Sequence, residues 1–161
     1  MKEVMMDQTR ADIEGGPGLF TLGLAVCIGI AVVGDYNTRA REGETRYDKW
    51  LAHLADGPMM EITFNTLKSR VESAKRHGLR NLKVKMSVVD PESLREDDSG
   101  FVWSERDIRQ TKDTNALYIT KVRELTRTSS GNATLMRVER HHVNDAKDME
   151  ILASKEMRIL S

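Results

Sequence analysis

Between Leu19 and Val33 the chain carries no charge, and the two faces of that run are unlike. Strand side chains alternate with period two. On that period Leu22, Leu24, Val26, Ile28, Ile30 and Val32 share one face, and Thr21, Gly23, Ala25, Cys27, Gly29 and Ala31 share the other. One face is bulky. The other is nearly bare apart from Thr21 and Cys27, so another backbone or a substrate can approach it closely. Cys27 is the chain's single cysteine. The run therefore predicts a central, buried strand over about 19–33, and it marks Cys27 as a candidate nucleophile.

Composition narrows the function classes. The 161 residues suit one domain with a true core. Lys+Arg and Asp+Glu are equal at 25 each, and aromatics are only 5%. That balance offers no basic stripe and few rings for bases, so nucleic acid is not an expected partner. A single cysteine makes no internal disulfide. The apolar run, about 15 residues, is short of the roughly 20 that span a bilayer. The segment before it sets Lys2 and Arg10 against Glu3, Asp7, Asp12 and Glu14, whereas a secretory signal is basic. A cytoplasmic protein without membrane insertion is expected. The oligomeric state is not legible.

Residues 1–18 show no sustained period and end in Gly15-Gly16-Pro17-Gly18, so a flexible lead-in is expected. One α/β domain follows over 19–161. Residues 35–48 are polar and charged and read as a loop. In Lys49–Leu54, Trp50, Ala52 and Leu54 share one strand face, and Leu51 and His53 share the other. Met60, Phe64, Leu67, Val71 and Ala74 then lie on one face of a helix that Gly78 ends. Leu82, Val84, Met86 and Val88 alternate with Lys83, Lys85 and Ser87 as a half-buried strand. Ser104-Glu105-Arg106-Asp107 has the form of a capping box, opening a helix within 105–128. Ser129-Ser130-Gly131-Asn132 reads as a turn, and 133–143 and 149–160 as two strands. The order β, β, α, β, α, β, β predicts a layered α/β sandwich, with helices on a mixed, largely antiparallel sheet.

A cysteine nucleophile needs a base, and the base needs a group to orient it. His77 falls at a helix end, where the dipole accounts for it. His141 and His142 flank the polar Asn144-Asp145 turn, where exposure is expected. His53 interrupts an apolar strand, and it meets Cys27 if the two strands are neighbours. Thr21 lies six residues before Cys27, roughly 20 Å away in an extended strand. It reaches the same place only if the chain bends near Gly23, which glycine permits. No metal-ligand spacing, phosphate loop or dinucleotide fingerprint is present, so neither a metal nor another cofactor is expected.

Thr21-Leu22-Gly23-Leu24-Ala25-Val26-Cys27, continuing through Val32, together with Trp50-Leu51-Ala52-His53-Leu54, resembles the CheD-type receptor-glutamine deamidases. The cytotoxic necrotizing factor toxins share that cysteine-histidine core. The resemblance covers about residues 19–56 and keeps the order threonine, cysteine, histidine. It departs where the family usually has a Gly-Ser or Ser-Gly pair before the cysteine; here Ala25-Val26 stands.

The resemblance implies the deamidase-like cysteine hydrolase fold and a catalytic set of Cys27, His53 and Thr21. His53 would hold Cys27 as a thiolate, Thr21 would orient His53, and the substrate would be a glutamine side chain of another protein. The alternative is a non-catalytic protein-interaction module on the same fold, which Ala25-Val26 favours.

Overall fold

The computed structural model describes residues 1–127 and 135–161. Its strands are β1 (Lys2–Glu3), β2 (Gln8–Ile13), β3 (Gly18–Leu24), β4 (Ile28–Tyr36), β5 (Tyr47–Leu54), β6 (Leu79–Val89), β7 (Leu135–His141), β8 (Lys147–Leu152) and β9 (Met157–Leu160). The helices are α1 (Met60–Arg76) and α2 (Glu105–Thr126). Two sheets form, one ordered β1-β3-β8-β9 and the other β2-β5-β4-β6-β7. Pairing is antiparallel except for β1 with β3 and β6 with β7. The molecule is thus an α/β protein with mixed sheets, as the element pattern implies. The expected turn at 129–132 lies outside the described residues.

The three layers follow from strand alternation. Ile28, Ile30 and Val32 of β4 and Trp50, Ala52 and Leu54 of β5 point toward the helices, where they meet Phe64, Leu67 and Val71 of α1 and Tyr118 and Val122 of α2. Ala31, Val33 and Leu51 point the other way, into a second core with Leu19, Leu24, Met149 and Ile151 of the smaller sheet. The bare side of the apolar run is therefore the side on which a second sheet packs. A Cβ at Gly29 would overlap Met149 Sδ and the end of Leu24.

The apolar run is not one strand. It breaks at residues 25–27 into β3 and β4, which belong to different sheets. Gly23 takes a left-handed φ of 72°, and the β3–β8 register shifts between Thr21 and Leu24. Parity consequently fails across the corner. Leu24 joins the same core as Cys27, and Leu22 is 53% exposed. The corner is favoured because one run then supplies both sheets. Full burial of a leucine or isoleucine contributes about 1.5–3 kcal/mol, and a glycine accepts positive φ without a Cβ clash.

Other differences have similar causes. Residues 1–18, expected to be a flexible lead-in, hold β1 and β2. Their weak period reflects short edge strands, each with a neighbour on one side only among the described residues. The loop expected at 35–48 shortens, because β4 runs to Tyr36 and β5 begins at Tyr47. The strand expected over 149–160 is the hairpin of β8 and β9, turned at Lys155 with φ 73°. The capping box is present, Ser104 Oγ accepting from Asp107 N at 3.0 Å. Gly78 ends α1 with φ 104°. At Gly18, φ is 105° and a Cβ would run into the Ile151 carbonyl of the paired strand. Gly18→Ala is expected to cost about 2–4 kcal/mol, from left-handed strain plus overpacking against backbone. Urea unfolding checks it, through a lower midpoint at unchanged slope.

Candidate functional site

Thr21 and His53, separate in sequence, are bonded to each other. Thr21 Oγ1 lies 2.7 Å from His53 Nδ1 and 2.6 Å from the Val4 carbonyl, and both side chains are buried. This geometry fixes the tautomer. A hydroxyl carries one proton, and the Val4 carbonyl can only accept it. Thr21 Oγ1 must then accept from His53, so Nδ1 carries the hydrogen. That leaves Nε2 with its lone pair, and Nε2 has no hydrogen-bond partner among the described residues. A neutral imidazole with a fixed Nδ1–H and an unpartnered Nε2 has the form of a general base.

The backbone explains the convergence. Val4 N donates to the Phe20 carbonyl at 2.7 Å, continuing the β1–β3 pairing that brings the Val4 carbonyl beside Thr21. His53 faces Gly29 across the β4–β5 ladder. Cys27 sits two residues before Gly29, in the bend that leads into β4, and lies in the inter-sheet core with Leu24 and Leu51. The pairing thus puts Cys27 two residues from the position opposite His53, and the charge of Asp7 acts on both groups. Of the three residues singled out from sequence, Thr21 and His53 meet directly, and Cys27 lies in the core between the sheets. No hydrogen bond joins Cys27 to His53.

Electrostatics bear on the charge of this pair. Burial pushes the Cys27 thiol above its ordinary value, and the charge of Asp7 adds to the rise. Burial pulls the His53 imidazolium below its ordinary value, with Asp7 opposing. Both shifts favour the uncharged thiol and imidazole over the thiolate and imidazolium that the resemblance implies. Cys27 is 6% exposed. The low dielectric that disfavours an isolated thiolate also disfavours its cationic partner.

Stability follows with opposite signs. The depressed His53 adds stability that is present above about 6.5 and lost as pH falls toward its folded value. The raised Cys27 adds stability present below about 9.0 and lost as pH rises toward its folded value. Unfolding midpoints measured from pH 5 to 10 should form a dome. His53→Gln should flatten only the acidic side and Cys27→Ala only the alkaline side.

Some participants were hidden in the sequence. Asp7 belongs to the segment expected to be flexible. It takes a left-handed φ of 64°, and its N–H donates to the His53 carbonyl at 2.9 Å. Ser87 pairs with Gly29 from the opposite side, and its buried hydroxyl has no partner among the described residues. Alternation with Lys83 and Lys85 had put Ser87 on a solvent face, but the second sheet covers that end of the strand. His141, expected to be exposed, is buried at the end of β7. Its Nδ1 lies 3.0 Å from the His142 carbonyl. His142 is 3.1 Å from Glu96, and His77 Nδ1 is 2.7 Å from the Ser73 carbonyl within the last turn of α1.

Among the described residues, no three His, Cys, Asp or Glu side chains gather as metal ligands, and no helix is long and apolar enough to cross a membrane. Neither a protein-family model nor a curated protein matches the chain.

Proposed function

We propose that the protein is a cysteine-dependent amide hydrolase of the deamidase-like fold, acting on glutamine side chains of a protein substrate. The observation that carries this reading is the chain of contacts from the Val4 carbonyl through Thr21 to His53 Nδ1. It holds the imidazole in the tautomer a base requires, opposite Gly29, two residues from Cys27. The order Thr21, Cys27, His53 and the corner at Gly23 support it further.

The chemistry starts from neutral groups. Nε2 of His53 takes the thiol proton as Sγ attacks the carboxamide carbon, and the oxygen becomes an oxyanion held by nearby backbone N–H groups. The carbon–nitrogen bond then breaks. The proton on Nε2 passes to the departing nitrogen, which leaves as ammonia. Water next gives a proton to Nε2, and its oxygen attacks the thioester. The carbon–sulfur bond breaks, Sγ recovers the proton, and glutamate remains.

The test is ammonia release together with a mass gain of about one dalton per converted glutamine, read across a panel of glutamine-bearing proteins and peptides. Thr21 variants sharpen it. Thr21→Ser keeps the oxygen and is expected to retain most activity. Thr21→Val removes the acceptor for Nδ1–H and should lower kcat by roughly 10–10², with the acid limb of the pH profile displaced. Equal activity in the two variants would remove Thr21 from the mechanism.

A second reading has its own support. A thiol that is buried, uncharged at rest and preceded by Ala25-Val26 also suits a binding module that keeps the fold without the chemistry. It predicts no turnover on any substrate, and partner binding that is indifferent to Cys27→Ala.

A further inference from the structure

β2 is an edge strand of the larger sheet, with no strand on its outer side among the described residues. Beside that edge runs a groove of about 1350 Å³, bounded by β2, α1 and the segment leading into β5. A small-molecule pocket holds roughly 300–1,000 Å³, so this groove is wide enough for a chain segment. Its wall contains apolar surface, with Tyr47 and Ile62 45% and 56% exposed.

Two exposed guanidinium groups flank the edge from opposite faces. Thr9 turns toward α1, its hydroxyl donating to the Thr63 carbonyl at 2.8 Å. Arg70 of α1 lies on that side, with Nη1 3.3 Å from the Thr9 carbonyl. Arg10, one residue on in β2, turns the other way and donates to the Glu3 carbonyl at 3.1 Å. Neither arginine forms an ion pair with a carboxylate among the described residues. Arg46, by contrast, is neutralised by Glu14 at 2.6 Å. Lys2, also on the wall of the groove, stands 3.6 Å from Asp12, so Arg10 and Arg70 are the lining cations left without a carboxylate partner among the described residues.

We propose that this groove binds an extended, acidic segment of a partner protein, which adds to β2 as a further strand. An added strand presents successive side chains to opposite faces, so neighbouring acidic residues meet Arg70 on one side and Arg10 on the other. A carboxylate that draws Arg70 away frees the Thr9 carbonyl for the partner's backbone N–H. Main-chain bonds then supply affinity and the arginines select for charge. Asp7, just before β2, also lines the groove, and its N–H bonds the His53 carbonyl at 2.9 Å.

The experiment uses full-length Cys27→Ala protein, so binding is read apart from any amide chemistry. The labelled probes are peptides of alternating Thr and Val with a central Glu-Asp-Glu, Gln-Asn-Gln or Lys-Lys-Lys, followed by fluorescence anisotropy. The acidic probe should bind, and added salt should weaken it. Arg10→Glu with Arg70→Glu should weaken it roughly tenfold or more and improve binding of the lysine probe. Thr9 and Ala11, which share one backbone orientation on β2, should show slowed amide exchange in the complex. The proposal is overturned if the acidic probe does not bind, if the amide probe binds as well, or if the double variant binds unchanged. Sedimentation showing two copies of this chain joined through β2 would overturn it too.

Discussion

Cys27→Ala is expected to abolish amide hydrolysis while leaving a folded protein. Loss of the nucleophile removes the covalent route altogether, so turnover should fall by roughly 10³ or more. The structural cost is small, because alanine fills most of the volume of a thiol that behaves as a small hydrophobe. About 1 kcal/mol covers the missing atom and the gap it leaves. His53→Gln should fall by a comparable factor, since nucleophile and base act as one unit. The two losses together should not multiply. Serine is a poorer control at position 27, because it buries a hydroxyl with no assured partner. The deciding measurement is ammonia release by both variants, with folding followed by circular dichroism. Wild-type turnover that survives in Cys27→Ala would end the proposal.

The largest expected loss of stability lies elsewhere. Lys49 is 0% exposed, with Nζ 2.8 Å from Asp48 Oδ1, 3.6 Å from Asp12 Oδ2 and 2.7 Å from the Ile13 carbonyl. Asp12 and Lys49 are direct cross-strand partners, and both carboxylates are buried. Lys49→Met keeps most of the side-chain volume and removes the cation between two buried anions. Breaking a buried pair from one side typically costs about 3–5 kcal/mol, because an uncompensated charge remains. Lys155 stands 3.4 Å from Asp48 and offsets part of this, and Lys2 stands 3.6 Å from Asp12. The melting temperature should drop by roughly 6–20 °C. Lys49→Arg, which keeps the charge but needs more room, should lose less. A Lys49→Met protein as stable as wild type would show that the two flanking lysines carry the cluster without it.

Legibility in the sequence differed by element. α1 was readable because Met60, Phe64, Leu67, Val71 and Ala74 repeat at helical spacing on one face, and that face is buried. α2 was readable from Ser104 and Asp107. β5 was readable to the face: Trp50, Ala52 and Leu54 meet the helices, while Leu51 meets the other sheet and His53 bonds to Thr21 there. β2 was not readable. An edge strand of six residues, half of them exposed, leaves little periodic trace. The Lys49 cluster was also missed, because in sequence a charged residue among apolar neighbours does not reveal the aspartate that pairs with it across the ladder.

The sequence alone determined which side chains are bulky, which are bare, and the order in which Thr21, Cys27 and His53 occur. Alternation is local, so it survives in a string of letters. The tertiary structure decided that the apolar run turns a corner after Gly23 and that the bare face receives a second sheet. It also decided that the Val4 carbonyl claims the only proton of Thr21. Those outcomes depend on contacts between residues far apart in the chain, and the energy of such contacts is set by burial and hydrogen-bond pairing that no local pattern records.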